Sequence, residues 1–293
     1  MNSDFVVFSA ASAQAFAVAQ TAIDQGLAVR AVLRAGKSSA LKGDHQIARA
    51  DLRDTDSLAR AMAGARAAFF HVPIPTGPGE AELHLSNFLF AAKQTKLPLL
   101  VFSSSSFADE SFSSTPFIDG NKHAVKQVLA SVIPAIVLKP GLYLENLHVP
   151  FFVPRLAQSI LDYPPMKADQ AMSWISHWDQ ALLAVAALAK PELAGLAYNI
   201  ASQEPVTPVQ LATMLGEKRG DRAMRFDAIT AIEFAQRVSQ ALQNPSLNFL
   251  LADLYRSINA QSAQSLLVDT DALERLFGVK LMSVSQRIAM WPA

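Results

Sequence analysis

The stretch NSDFVVFSAASAQAF, residues 2–16, decides how the rest of the chain is read. Residues 4–8 hold an apolar run suited to a buried first strand, and residues 13–25 have the composition of a following helix that closes at Gly26. The turn between them, Ser9-Ala10-Ala11-Ser12, stands where a nucleotide-binding fold has its phosphate loop, yet it has no glycine. In the G-x-x-G-x-x-G form of that loop the first glycine permits a tight turn. The second lets the backbone approach a pyrophosphate, and the third lets the helix pack closely on the strand. Those places fall at Ser9, Ser12 and Ala15. Alanine is accepted at the third. A Cβ at Ser9 disfavours positive φ, and one at Ser12 projects into the space a pyrophosphate fills. The unpaired N–H groups of a helix start and two serine hydroxyls offset part of that loss, which makes Ser9 and Ser12 candidate anion contacts. A plain N-cap role for Ser12 is the alternative.

Outward from this loop the chain alternates. Apolar runs at residues 29–33, 67–72, 99–103 and 135–138 read as strands, and residues 57–63, 81–96 and 121–131 as the helices between them. Continuous apolar strands separated by helices imply a parallel sheet covered on both faces, so the expected class is α/β with a Rossmann-type doubly wound sheet. Beyond Pro140 helices at 180–190, 208–218, 230–243 and 246–258 dominate, with brief strands at 198–201 and 224–227. Two units are therefore expected: a dinucleotide-binding domain over 1–140 and a smaller C-terminal α/β lobe over 141–293, partly interleaved with the sheet. The second strand runs into VLRAGK. An acid here suits the ribose diol of NAD, whereas a cation suits a 2′-phosphate. Arg34 and Lys37 with no acid beside them favour NADP(H) over NAD, unless Arg34 simply closes an exposed strand end.

Composition narrows the function classes. The 293 residues include 25 basic and 25 acidic side chains, so no basic excess offers the footprint that nucleic acid requires. There is no cysteine, which rules out disulfides, thiolate catalysis and cysteine-ligated metal. His45, His71, His84, His123, His148 and His177 lack metal-binding spacings, so no metal is expected. No stretch approaches the roughly 20 apolar residues of a membrane span, and the start reads as a strand and not a signal peptide. The expected location is the cytoplasm.

Read together, LAVRAVLR, ADLRDTDSLARAMAGARAAFFHVP, LPLLVFSSSS, KPGLYLENL and WISHWDQALLAVAALAKPELAGLAYNIAS resemble the NmrA-like group of atypical short-chain dehydrogenases/reductases over about residues 5–230. The resemblance implies that Asp51 and Leu52 lie beside the adenine and that His71, Val72 and Pro73 line the cofactor path. It also implies that Ser103, Ser104 and Ser105 meet the nicotinamide ribose, that Lys122 is the family lysine and candidate catalytic residue, and that Asn146 faces the substrate. The tyrosine four residues before that lysine in typical short-chain enzymes is replaced by Ile118. Phe107, Tyr143 and Phe151, with Trp174 and Trp178, fall where the lobe would cover the nicotinamide. They could line a flat apolar pocket, although core packing is the commoner use of aromatic side chains. His177 and Asp179 are expected to brace the lobe. The resemblance implies an NADP(H)-dependent oxidoreductase acting on a quinone-like or other small conjugated acceptor. A non-catalytic dinucleotide sensor or partner-binding regulator stays open beside it. A small-molecule substrate is the expected partner, with a homodimer also open.

Overall fold

Alternate residues of the first strand serve different cores: Phe5 and Val7 face one side of the sheet, and Val6 faces the other. This period of two is what lets an all-apolar run serve a sheet buried on both faces. The computed structural model describes residues 5–75, 77 and 79–292, so Asp4 of the expected first strand lies outside the described residues. In chain order the elements are β1 (Phe5–Val7), α1 (Ala13–Asp24), β2 (Val29–Leu33), β3 (Gln46–Arg49), α2 (Thr55–Met62), β4 (Ala67–His71) and α3 (Glu80–Gln94). Next come β5 (Leu100–Ser103), α4 (Pro116–Ala130), β6 (Ala135–Pro140), β7 (Leu142–Tyr143), β8 (Ile160–Leu161), β9 (Trp174–Ile175) and α5 (His177–Ala186). The chain continues with β10 (Ala197–Ile200), α6 (Pro208–Arg219), β11 (Arg225–Phe226), α7 (Ala231–Ala241), α8 (Ser246–Asn259), α9 (Thr270–Phe277) and α10 (Val284–Ala289).

Seven strands form one parallel sheet in the order β10-β6-β5-β4-β1-β2-β3. This is the doubly wound α/β arrangement, with its strand order reversing between β1 and β4. Helices α1, α5 and α9 cover one face, and α2, α3 and α4 cover the other. On that second face Phe88 of α3 stacks on Phe70 of β4 at 4.0 Å between ring centroids and meets Phe8 edge-on at 5.0 Å. The edge strand β3 was not legible as an apolar run, because Ile47, its one large apolar residue, stays half-exposed. Helix α4 begins five residues earlier than its periodicity suggests, since Thr115 caps it and Pro116 occupies its first turn.

The remaining elements build a lobe around Tyr163, Trp174, Phe234 and Tyr255. Here Phe152 and Tyr163 stack at 5.3 Å, and Arg237 pairs with fully buried Asp162 at 2.7 Å. The chain does not stay in this lobe: α5, β10 and α9 return to the main sheet. Asp179, in the first turn of α5, joins the two regions. Its fully buried carboxylate accepts from Ser176 Oγ (2.9 Å), Ser202 Oγ (2.5 Å) and Arg287 Nε (2.9 Å), and a second Arg287 nitrogen completes a two-pronged ion pair. Removing one member of a buried pair strands the other charge, at a cost of about 3–5 kcal/mol. Asp179→Ala is therefore expected to lower unfolding stability by that amount. Urea denaturation checks this, and a loss below about 1 kcal/mol would show the pair to be no more than a surface-type contact.

Candidate functional site

The strand order reverses between β1 and β4, and doubly wound sheets bind their ligands in the crevice at the carboxyl ends of the strands that flank such a reversal. The loop after β1 enters it. Ser9 has φ of 56°, the left-handed conformation that a glycine would take without penalty. A residue with a Cβ meets a cost of roughly 1–2 kcal/mol there. The turn is held by the Ser12 N–H donating to Ser9 O at 2.8 Å and the Ala10 N–H donating to Val32 O at 3.1 Å. Ala15, at the third glycine's place, is fully buried between helix and sheet.

Ser12 is the N-cap of α1 and does a second job. Its Oγ accepts from the Ala15 N–H at 3.3 Å and lies 2.9 Å from His71 Nε2, which closes a hydrogen bond across the crevice from β1 to β4. The other ring nitrogen, Nδ1, lies 3.4 Å from Val72 O. A carbonyl can only accept, so this contact assigns the proton to Nδ1 and leaves Nε2 to accept from the Ser12 hydroxyl. Burial lowers the His71 pKa, which favours this neutral form.

Beyond β2 the cations gather. Arg34 and Lys37 are exposed, and neither side chain has a hydrogen-bond or ion-pair partner among the described residues. Arg49, at the end of β3, donates to the Arg34 carbonyl at 3.0 Å and the Lys37 carbonyl at 2.5 Å, fixing the turn that presents them. Arg49 carried no sequence signal, because its strand was itself illegible. On the same rim the Asp51 carboxylate accepts from the Arg53 N–H at 2.9 Å, and the Leu52 carbonyl accepts from Asn87 at 3.0 Å. Val72 and Pro73 follow β4 directly and are half-buried.

A second polar cluster sits at the ends of β5 and β6. Gln180 of α5 donates to Ser103 Oγ at 3.1 Å and accepts from the Tyr143 hydroxyl at 2.5 Å. Burial raises the Tyr143 pKa, so this phenol keeps its proton. The His177 ring lies 4.5 Å from that of Tyr143, and the His177 N–H donates to Glu145 Oε1 at 2.9 Å. Glu145 Oε2 is buried without a hydrogen-bond partner, 3.8 Å from His177 Nδ1. Burial pushes Glu145 up to about 7, and burial together with the nearby His71 pushes His177 down to about 4. Glu145 stands directly beside Asn146 in the KPGLYLEN stretch, and that adjacency was the only sequence signal for it.

The other candidates lie further out. Ser104 donates to Asn121 at 3.4 Å, and Ser105 caps the short turn at 106–108 by accepting from the Phe107 N–H. Lys122 donates to the Phe112 carbonyl at 3.1 Å and lies 3.6 Å from Glu110, which also pairs with Lys126 at 3.0 Å. Buried Lys139 reaches Asp109 at 2.6 Å, and Asn199 donates to the same carboxylate at 2.8 Å. Three lysines thus pin residues 109–112 beside buried Phe107, which meets Phe112 edge-on at 5.4 Å. Asn146 and Phe151 belong to the lobe core. Asn146 donates to the Tyr163 hydroxyl at 2.8 Å, burial pushes that phenol up to about 12, and Phe151 packs edge-on against Phe152. Among the described residues no group of three or more His, Asp or Glu is placed to hold a metal ion. No helix among them is long and apolar enough to cross a membrane.

Glu145 and His177 act oppositely on stability. A raised carboxyl pKa means the folded chain holds a proton the unfolded chain has released, so stability falls as pH rises from about 4.5 to about 7. A lowered imidazole pKa means stability rises between about 4 and 6.5. The two offset each other below about 6.5, and only the Glu145 loss continues above. Glu145→Gln keeps the oxygen that accepts from His177 and removes the loss. The variant is expected to exceed the wild type by about 1–3 kcal/mol at pH 7.5 and to converge with it near pH 4.5. Urea midpoints across this range check it, and a constant offset at every pH would contradict it.

Comparison with known proteins adds three findings. The model of the NmrA-like family matches residues 1–266. An NAD(P)H azoreductase from Xenophilus azovorans is 27% identical over 216 residues, covering 72% of this chain and 71% of the relative. Two similar solved structures cover nearly all of both chains. A nucleoside-diphosphate-sugar epimerase from Staphylococcus aureus has a TM-score of 0.79 at 17% identity, covering 98% of this chain and 99% of its own. An NADPH-dependent quinone oxidoreductase from Escherichia coli, complexed with NADPH, has a TM-score of 0.76 at 19% identity, covering 97% and 98%.

Proposed function

Because this chain belongs to the NmrA-like family, we propose that it binds NADP(H) in the crevice between β1 and β4 and reduces a small conjugated acceptor of the quinone or azo class. The observation that carries the reading is Ser9. It takes the left-handed conformation of a phosphate-loop glycine, and α1 starts three residues later on Ser12. This supports a glycine-free turn that follows the path of a phosphate loop, from which the first-turn amides of α1 other than that of Ala15, already bonded to Ser12, would meet the pyrophosphate. Arg34 and Lys37 are free to meet a 2′-phosphate, and Arg49 fixes the turn that carries them. On this reading Asp51 and Leu52 would lie beside the adenine. The relatives support this cofactor: one bears the name NAD(P)H azoreductase and another holds NADPH.

When bound, the nicotinamide supplies a hydride. The chain's own contribution at that end is the Ser103, Gln180 and Tyr143 series, which fixes two hydroxyls at the ends of β5 and β6. A conjugated acceptor suits so modest an apparatus, because it is easily reduced and needs no strong general acid. Lys122 is tethered to the Phe112 carbonyl and to Glu110 and makes no contact with this series. A second reading has one observation in its favour. Ile118, where typical short-chain enzymes carry tyrosine, is fully buried in the lobe core, which suits a dinucleotide sensor without turnover.

Fluorescence titration with NADPH and NADH separates the readings. Tighter binding of NADPH is expected. Arg34→Glu should weaken it about tenfold, the loss of one charge-assisted contact, and leave NADH unchanged. Oxidation of NADPH with a panel of quinones and azo compounds follows. Failure of both dinucleotides to bind would overturn the cofactor assignment, and binding without oxidation would favour the sensor.

A further inference from the structure

The crevice faces a dinucleotide with a mismatch that one proton resolves. In the hydrogen-bond series from Val72 O through His71 to Ser12, the serine's only proton points to Nε2. The Ser12 hydroxyl then offers the crevice lone pairs only, and a pyrophosphate also offers lone pairs only. No lysine or arginine among the described residues makes a hydrogen bond or ion pair with residues 9–12 to compensate. Among the described residues the polar and titratable groups that face His71 are few. They are Ser12 from the β1 loop, Ser103 as its register partner on β5, and His177 from α5 with Glu145 and Tyr143 behind it. None of these is a permanent cation.

We propose that dinucleotide binding at this loop takes up a proton on His71 and reverses the Ser12 hydrogen bond. Nε2–H then donates to Ser12 Oγ, and the freed hydroxyl proton of Ser12 turns to the pyrophosphate. The proton comes from solvent, Nδ1 keeps its bond to Val72 O, and a buried imidazolium stands next to the anion in place of a glycine's open space. Burial favours the neutral ring in the free protein, so the proton that the reversed bond needs arrives with the dinucleotide. This inference rests on the dinucleotide reading and deepens it: binding in this chain becomes proton-linked.

Calorimetric titration of NADPH near pH 7, in two buffers of different ionisation enthalpy, counts the protons. The 2′-phosphate also titrates near pH 6, so the comparison is between wild type and His71→Gln, whose amide is a permanent donor to Ser12. Wild type is expected to take up about one proton more than the variant, and its Kd to weaken by up to about tenfold per pH unit above neutrality. The variant should lose that dependence. ADP-ribose, which has the pyrophosphate and no 2′-phosphate, needs no variant and should draw the same proton into wild type. Binding with equal uptake in wild type and variant, or ADP-ribose binding with none, overturns the inference and leaves the cofactor assignment standing. Absence of any binding heat from pH 6 to 8 overturns both.

Discussion

The parallel pairing of β1 with β2 on one side and β4 on the other constrains everything else in this molecule. A parallel sheet needs helices on both faces, and the chain meets that need by sending its connections to opposite sides of β1. One set of connections places α1 and α5 together, and the other places α2, α3 and α4. The connections that leave β1 and β4 run to opposite sides of the sheet, toward β2 and toward β5. The carboxyl ends of β1 and β4 are left with a crevice whose walls are the Ser9 to Ser12 turn and His71. The lobe is subordinate to this frame, tied to it by the buried pair of Asp179 with Arg287.

Within that frame, replacing glycines by serines has two separate consequences. At Ser9 the effect is local: the backbone takes the same path and a roughly 1–2 kcal/mol conformational cost is absorbed by the hydrogen bonds that fix the turn. At Ser12 the effect is relational. A hydroxyl that caps α1 and reaches His71 ties the loop after β1 to the end of β4, a contact that a glycine cannot make, and it makes the polarity of the loop depend on a histidine. The neighbouring pair of Glu145 and His177 adds a second set of groups to the same region: burial keeps His177 neutral at neutral pH and lifts Glu145 to about 7.

Much of the frame was legible in the sequence because β1, β2, β4, β5 and β6 are apolar on both faces, and only a doubly covered sheet requires that. The strand β3 escaped notice for the converse reason: an edge strand buries little, so QIAR has no pattern to read. Its loss also hid Arg49, although Arg34 and Lys37 stood out as cations at the end of an evident strand. Legibility of the site followed the same division. Ser9 and Ser12 stood out from the spacing of the glycine motif, whereas His71 and Ser103 were candidates only through the family resemblance. The contacts that orient the site were not legible, because Gln180 reaches Ser103 across 77 positions and Glu145 reaches His177 across 32. Asn146 shows the limit of a motif: it lies beside Glu145 in sequence, yet its side chain donates to Tyr163 in the lobe core.

The most direct test of a dinucleotide site built on a serine loop is hydrogen–deuterium exchange across the whole chain with and without NADPH. Slowed exchange at residues 10–16 and 34–38, together with the end of β4, is the expected result, because a pyrophosphate and a 2′-phosphate bound as proposed would lie against those amides. Protection confined to the lobe, with the β1 loop unchanged at saturating NADPH, would contradict it.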